Sequence, residues 1–159
     1  LKKIYNKHNL RETISDTLLK FNDFGLYSLN AIELIAATIC HESVMGTYHR
    51  QIGGGPALGI AQMEPATEKD IWSNFLKYKQ KLSLKIFDVF GIISSKPGLL
   101  EINDEYSILM CRLHYYRIKE PLPGVDVIKM ANYWKTHYNT IKGKGRVEEF
   151  VNNYNKYMT

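Results

Sequence analysis

Apolar residues recur at helical spacing along most of the chain. Leu10, Ile14, Leu18 and Phe21 share one stripe, Ile71, Trp72, Phe75 and Leu76 a second, and Ile108, Leu109, Leu113 and Tyr116 a third. No convincing set of strands interrupts them. The start signals agree. Asn30 stands three before Glu33 and Thr67 three before Asp70, the spacing of a capping box, and Asn103 and Asp126 are placed to cap the helices that follow them. Gly25, Gly91, Pro97-Gly98 and the Pro121–Gly124 segment punctuate the periodic stretches. The expected fold is mostly α with little or no β: one domain over residues 1–159, with about six or seven helices around a buried central one.

That central helix is distinctive. Ala31, Ile32, Leu34, Ile35, Ala36, Ala37, Ile39 and Cys40 make it apolar on nearly every side, which belongs to the middle of a domain. It runs straight into His41-Glu42-Ser43, so a carboxylate is delivered from the most buried element to the edge of whatever cleft opens there. A partly desolvated carboxyl has a raised pKa, and a glutamic acid still protonated near neutral pH serves as a general acid.

Composition narrows the field. With 159 residues, 45% apolar and 23% charged, the chain is large enough for a real core and unlike a disordered, collagenous or coiled-coil sequence. The longest apolar run, Leu34 to Cys40, is broken by Thr38 and falls far short of the ~20 residues of a membrane span. Basic residues open the chain without an apolar stretch behind them, so no secretory signal is visible. Cys40 and Cys111 each sit in an apolar helical pattern and are expected to be buried free thiols. The net charge of +5 is uneven, with 12 basic against 8 acidic residues over positions 81–159. Between Asp126 and Glu148 there is no carboxylate, but there are Lys129, Lys135, Lys142, Lys144 and Arg146. Such a stretch suits an anionic partner, with a solvated cationic face as the plain alternative. No groove-reading motif accompanies it, which argues against nucleic acid.

Several chemistries are disfavoured by spacing. The glycine-rich segment Gly53–Gly59 lacks the Lys-Ser/Thr of a phosphate loop. His41-Glu42 resembles the start of a zinc-protease helix, but the second histidine is replaced by Met45, so no metal is expected. The apolar surroundings of Cys40 and Cys111 disfavour a thiolate. Glu42 remains, without another carboxylate from Ser43 to Met63. A glutamate at a helix C-terminus is unfavourable with the macrodipole, and position alone leaves a solvated Glu42 and a catalytic one level.

A wider pattern tips that balance. Ile39-Cys40-His41-Glu42-Ser43, followed some twenty residues on by Ala57-Leu58-Gly59-Ile60-Ala61-Gln62-Met63-Glu64-Pro65-Ala66-Thr67, resembles the lytic transglycosylases of the lysozyme-like superfamily, particularly phage-encoded ones. In that family a Glu-Ser at the end of a buried helix precedes a Gly-Leu-Met-Gln segment and a Pro-x-Thr that opens the next helix. Tyr138-Asn139-Thr140, followed by Gly143, Gly145 and Arg146-Val147, is similar to the family's Ala-Tyr-Asn-Ala-Gly in divergent form. Ala61 stands where the family has Met, and Thr140-Ile141 replace the Ala-Gly, so the local turn is expected to differ.

The resemblance implies a lysozyme-like helical domain that cleaves the β-1,4 bond between N-acetylmuramic acid and N-acetylglucosamine, with Glu42 as general acid and base and with no cofactor. It implies that Ser43 orients the Glu42 carboxyl, that Gln62 and the Gly59–Met63 backbone hold saccharide, and that Tyr138, with Asn139 beside it, hydrogen-bonds near the carboxyl. Tyr48 and His49 are expected to line the cleft, and the basic stretch to face the anionic groups of the wall. The expected partner is a peptidoglycan glycan strand met by a monomer. The expected site of action is the bacterial cell wall, reached after synthesis in a host cytoplasm or from a virion. Two alternatives stand beside this. One is a hydrolytic lysozyme or chitinase-like relative using Glu64, Glu68 or Asp70 as base; the other is a wall-binding or virion structural module without chemistry.

Overall fold

The computed structural model describes residues 2–140 and 142–159. Leu1, at the head of the basic N-terminal run, and Ile141, in the divergent turn after Tyr138-Asn139, lie outside the described residues. The protein is a mostly α single domain. Its elements are α1 (Lys7–Leu19), α2 (Leu29–Glu42), α3 (Pro65–Asn74), α4 (Gln80–Phe90), α5 (Gly98–Ile102), α6 (Asp104–Tyr116), α7 (Val127–Trp134), a π-helical turn Lys135–Asn139, and α8 (Val147–Tyr157). Eight α-helices are thus described rather than six or seven, because Pro97 opens a one-turn helix that Asn103 closes just before α6 begins. Pairing of extended backbone among the described residues is confined to two isolated bridges, Arg50 with Leu58 and Leu58 with Met63. No helix of the described residues is long and apolar enough to cross a membrane.

Capping follows the sequence in part. The Asn103 and Asp126 side chains accept from Tyr106 N and Lys129 N, and Gly25 and Gly91 end their segments in the left-handed conformation. Asn30 and Thr67 do not cap. Ser28 caps α2 by accepting from Ala31 N, and Pro65 opens α3 behind Glu64, which leaves both residues inside the first turn. Glu33, read as half of a capping box, instead takes two hydrogen bonds from Arg11, at 2.6 and 2.9 Å, and one from Tyr154 Oη at 2.7 Å. Burial alone would raise that carboxyl, but these donors bring it below the ordinary glutamate value. The cluster ties α1, α2 and α8 together.

Two hydrophobic clusters form the core. In the first, Ala31–Cys40 of α2 pack with Leu10 and Ile14 of α1, Trp134 of α7 and Phe150 of α8. In the second, Ile71 and Trp72 of α3, Leu82 and Ile86 of α4, and Phe21 and Leu100 come together. Helix α6 serves both, giving Ile108, Cys111 and Tyr115 to the first and Tyr106, Leu109, Met110 and Leu113 to the second. Cys40 and Cys111 are buried free thiols.

Candidate active site

Helix α2 ends at Glu42, and the chain turns away through Val44 and Met45, both at positive φ (49° and 59°), and Gly46 (74°). Ser43 fastens this turn: its hydroxyl donates to Ile39 O at 3.1 Å and accepts from Gly46 N at 2.9 Å. This corrects the expectation that Ser43 orients the Glu42 carboxyl, because its one proton goes to Ile39 O and no hydrogen bond joins it to Glu42 among the described residues. The group that does hold the carboxyl is Trp134, whose indole N–H donates to Glu42 Oε1 at 2.9 Å. Burial pushes the Glu42 carboxyl up to about 7, against the opposite pull of that hydrogen bond. Trp134 is itself fully buried, with the His41 ring edge-on at 4.7 Å and Phe150 at 5.0 Å.

Glu42 borders a cleft of about 770 Å³. Tyr48, Gln62, Met63, Tyr138 and Asn139 line the same cleft, so six of the nine site residues expected from sequence come together. One wall is the irregular segment from Val44 to Met63. Its backbone is cross-linked: Leu58 N donates to Met63 O (2.9 Å), Met63 N to Leu58 O (3.1 Å), Gln51 N to Ala57 O (3.1 Å) and Gly59 N to His49 O (2.8 Å). Gln62, at φ 50°, donates its side-chain amide to Gly59 O at 2.9 Å. Met63 reaches the cleft but is otherwise buried in the second cluster.

Gly59 and His49 stand apart from the cleft, correcting the expectation for both. Gly59 has φ 78°, and a Cβ there would lie 2.2 Å from Leu100 O and 2.8 Å from Ser107 Oγ, so its role is a close backbone approach. His49 turns toward α6, with Nε2 3.0 Å from Asp104 Oδ1, while Tyr5 donates to the other oxygen of the same carboxylate at 2.5 Å. It lines a second cavity beside the N-terminal segment.

The opposite wall is made by the π-helical turn with Thr140 and by residues 142–145. Lys135 organises it, its ammonium donating to Asn139 Oδ1 (2.7 Å), Gly143 O (2.9 Å) and Gly145 O (2.7 Å). The loop lies so close that a Cβ on Gly143 would meet Asn139 Oδ1 at 2.5 Å, and one on Gly145 would meet the Trp134 ring at 2.7 Å. Lys142 and Lys144 line the cleft from this loop, and neither meets a carboxylate among the described residues. Tyr138 joins the walls by donating to Ala61 O at 2.7 Å, rather than to the Glu42 carboxyl. His114 also lines the cleft; its Nε2 donates to His137 O at 2.8 Å, and burial holds the ring below the usual histidine value.

Of the three carboxylates set out as bases for water, Glu64 alone lines the cleft. Glu68 is buried and accepts from Ser95 Oγ, Lys96 N and Tyr106 Oη, while Asp70 pairs with Arg117 at 2.8 Å. Among the described residues no group of three or more His, Cys, Asp or Glu side chains is arranged to hold a metal ion. Trp134, which holds the Glu42 carboxyl, is not singled out by the sequence, and Lys135 stands there only as one member of the basic stretch. Their only signal was proximity to Tyr138, since a tryptophan in an amphipathic helix reads as core and a lysine in a basic stretch reads as solvated.

Fold and site together define a mostly α, cleft-bearing domain with a glutamic acid that is half-buried at the end of its central helix. No protein-family model, curated protein or solved structure matches the chain.

Proposed function

We propose that this protein cleaves the β-1,4 glycosidic bond between N-acetylmuramic acid and N-acetylglucosamine in peptidoglycan, with Glu42 as the acid. The observation that carries the reading is the Glu42 carboxyl itself, raised to about 7, held by Trp134 and facing a cleft of about 770 Å³. Near neutral pH a large share of it keeps the proton that a leaving alkoxide requires. Glu42 gives that proton to the glycosidic oxygen as the bond to C1 breaks, while the N-acetyl group of the substrate steadies the developing charge. The muramyl 6-hydroxyl then attacks C1 and returns its proton to Glu42, closing a 1,6-anhydro ring. No water is consumed, and the intramolecular attack has the entropic advantage of a tethered nucleophile. One carboxylate suffices.

Hydrolysis is the second reading, favoured by one observation: Glu64 lines the same cleft and is exposed. It would activate a water in place of the 6-hydroxyl. Digestion of purified peptidoglycan by wild type, Glu42→Gln and Glu64→Gln, with the new muramyl ends identified by mass spectrometry, separates the two. Anhydro ends from wild type and Glu64→Gln, with turnover reduced at least about 10²-fold in Glu42→Gln, are expected. Reducing ends, with both variants inactive, would move the reaction to hydrolysis. A folded wild type that releases nothing would leave a wall-binding or structural module.

A further inference from the structure

Helix α4 presents to solvent a face that the fold does not use. Its inner side, Leu82 and Ile86, is buried in the second cluster, and Ser83 Oγ fastens it to Leu76 O at 2.9 Å. On the outer side Leu84 and Phe87, three residues apart and so on one face, are 61% and 50% exposed. Tyr78, just before the helix, and Ile93, just after it, are 71% and 79% exposed. None of the four lines either cavity, so they form a ridge rather than a groove.

The charge around this ridge is predominantly positive. Between Ile71 and Leu100 the chain carries Lys77, Lys79, Lys81, Lys85 and Lys96 against a single carboxylate, Asp88. None of these lysines meets a carboxylate among the described residues. Lys77 and Lys79 lie over the rings of Tyr78 and Phe75, each at 5.7 Å. Lys81 and Lys85 are four apart on the helix, where like charges repel. Folding stability is served neither by that pair nor by exposing Leu84 and Phe87.

We propose that the outer face of α4 docks on an anionic lipid surface. Leu84 and Phe87 enter the boundary between headgroups and acyl chains, Tyr78 and Ile93 flank them, and the lysines extend their ammonium groups to the headgroup phosphates. Nucleic acid fits less well, because bases could stack on Phe87 and Tyr78 but would leave Leu84 and Ile93 uncovered. An acidic protein fits poorly as well, since it would need a pocket shaped to the ridge, whereas a fluid bilayer conforms to it. The surface is separate from the cleft and does not rest on what the cleft does.

Flotation of the purified protein with phosphatidylcholine vesicles, with and without phosphatidylglycerol, tests the proposal. Wild type is expected to float with the phosphatidylglycerol vesicles at least about tenfold more than with phosphatidylcholine alone, less so as salt rises. Leu84→Ser/Phe87→Ser and Lys81→Gln/Lys85→Gln should each reduce flotation about tenfold while melting like wild type, because all four side chains lie off the buried side of the helix. Flotation undiminished in Leu84→Ser/Phe87→Ser, or absent in wild type, would overturn it. So would a wild-type dimer in light scattering that this double variant dissolves, with no vesicle binding, since the ridge would then belong to a second copy.

Discussion

The two walls of the cleft are built on different principles. From Val44 to Met63 the chain is held by many backbone hydrogen bonds, with Gly59 pressed against Leu100 and Ser107. In the opposite wall, Asn139, Gly143 and Gly145 gather around the one ammonium of Lys135. Restraint spread over backbone is hard to remove with one substitution, short of forcing the backbone apart. Restraint centred on a charge is removed by deleting that charge. Trp134, which holds Glu42, packs against this second wall through Gly145, so the acid depends on the more easily broken side.

Forcing the first wall has the largest expected effect. Gly59→Ala combines a left-handed φ with a collision against Leu100 O, and should cost about 3 kcal/mol and lower Tm by about 6–12 °C in calorimetry. An unchanged Tm would mean that this wall is not braced there. Lys135→Met comes next. It should cost about 2 kcal/mol, expose the 142–146 segment to limited proteolysis before any other site, and reduce turnover about tenfold through the loss of support for Trp134. Proteolysis that starts instead between Val44 and Met63 would reverse the comparison.

The acid between the walls gives a smaller, pH-dependent effect. Because the folded Glu42 carboxyl titrates at about 7 rather than near the ordinary 4.5, the native state holds its proton more tightly than the unfolded chain between those values. Stability contributed at this site is therefore full at low pH and falls as pH rises from 4.5 to 7. Glu42→Gln should gain about 1–2 kcal/mol over wild type at pH 8 and little at pH 4, measured by denaturant titration. Equal gains at both pH values would remove the strained-carboxyl account. The smallest effect belongs to Lys142→Gln/Lys144→Gln, expected to raise KM for peptidoglycan about threefold at low salt and hardly at all at high salt. A salt-independent change would show that these lysines act by shape.

Much of this fold is readable from sequence where a single helix carries the signal. The unbroken apolar circumference of Ala31–Cys40 announces the central helix, and Asn103, Asp126, Gly25 and Gly91 mark ends through local chemistry. Asn30 and Thr67 mislead because Ser and Pro nearby compete for the same helix start and win. At the cleft, the end of the central helix points to Glu42, and the resemblance adds Gln62 and Tyr138, which line the same cleft. Trp134 lies 92 residues from Glu42 along the chain, and two of the three acceptors of Lys135 are backbone carbonyls, which carry no sequence identity. Ser43 and Gly59 show the converse, in that residues of a familiar pattern serve the turn and the packing beneath the site.

Helix α6 gives one set of side chains to each hydrophobic cluster, and this leaves the molecule without a seam. Any cut between the clusters would run down the axis of a helix, so a fragment carrying either one would bear an uncovered apolar flank. Loss of order on one side would strip α6 of half its cover and draw the other side with it, so melting is expected to be a single cooperative event. Grafting this cleft onto another scaffold would therefore mean moving the whole of α1 through α8, not the few segments that touch it.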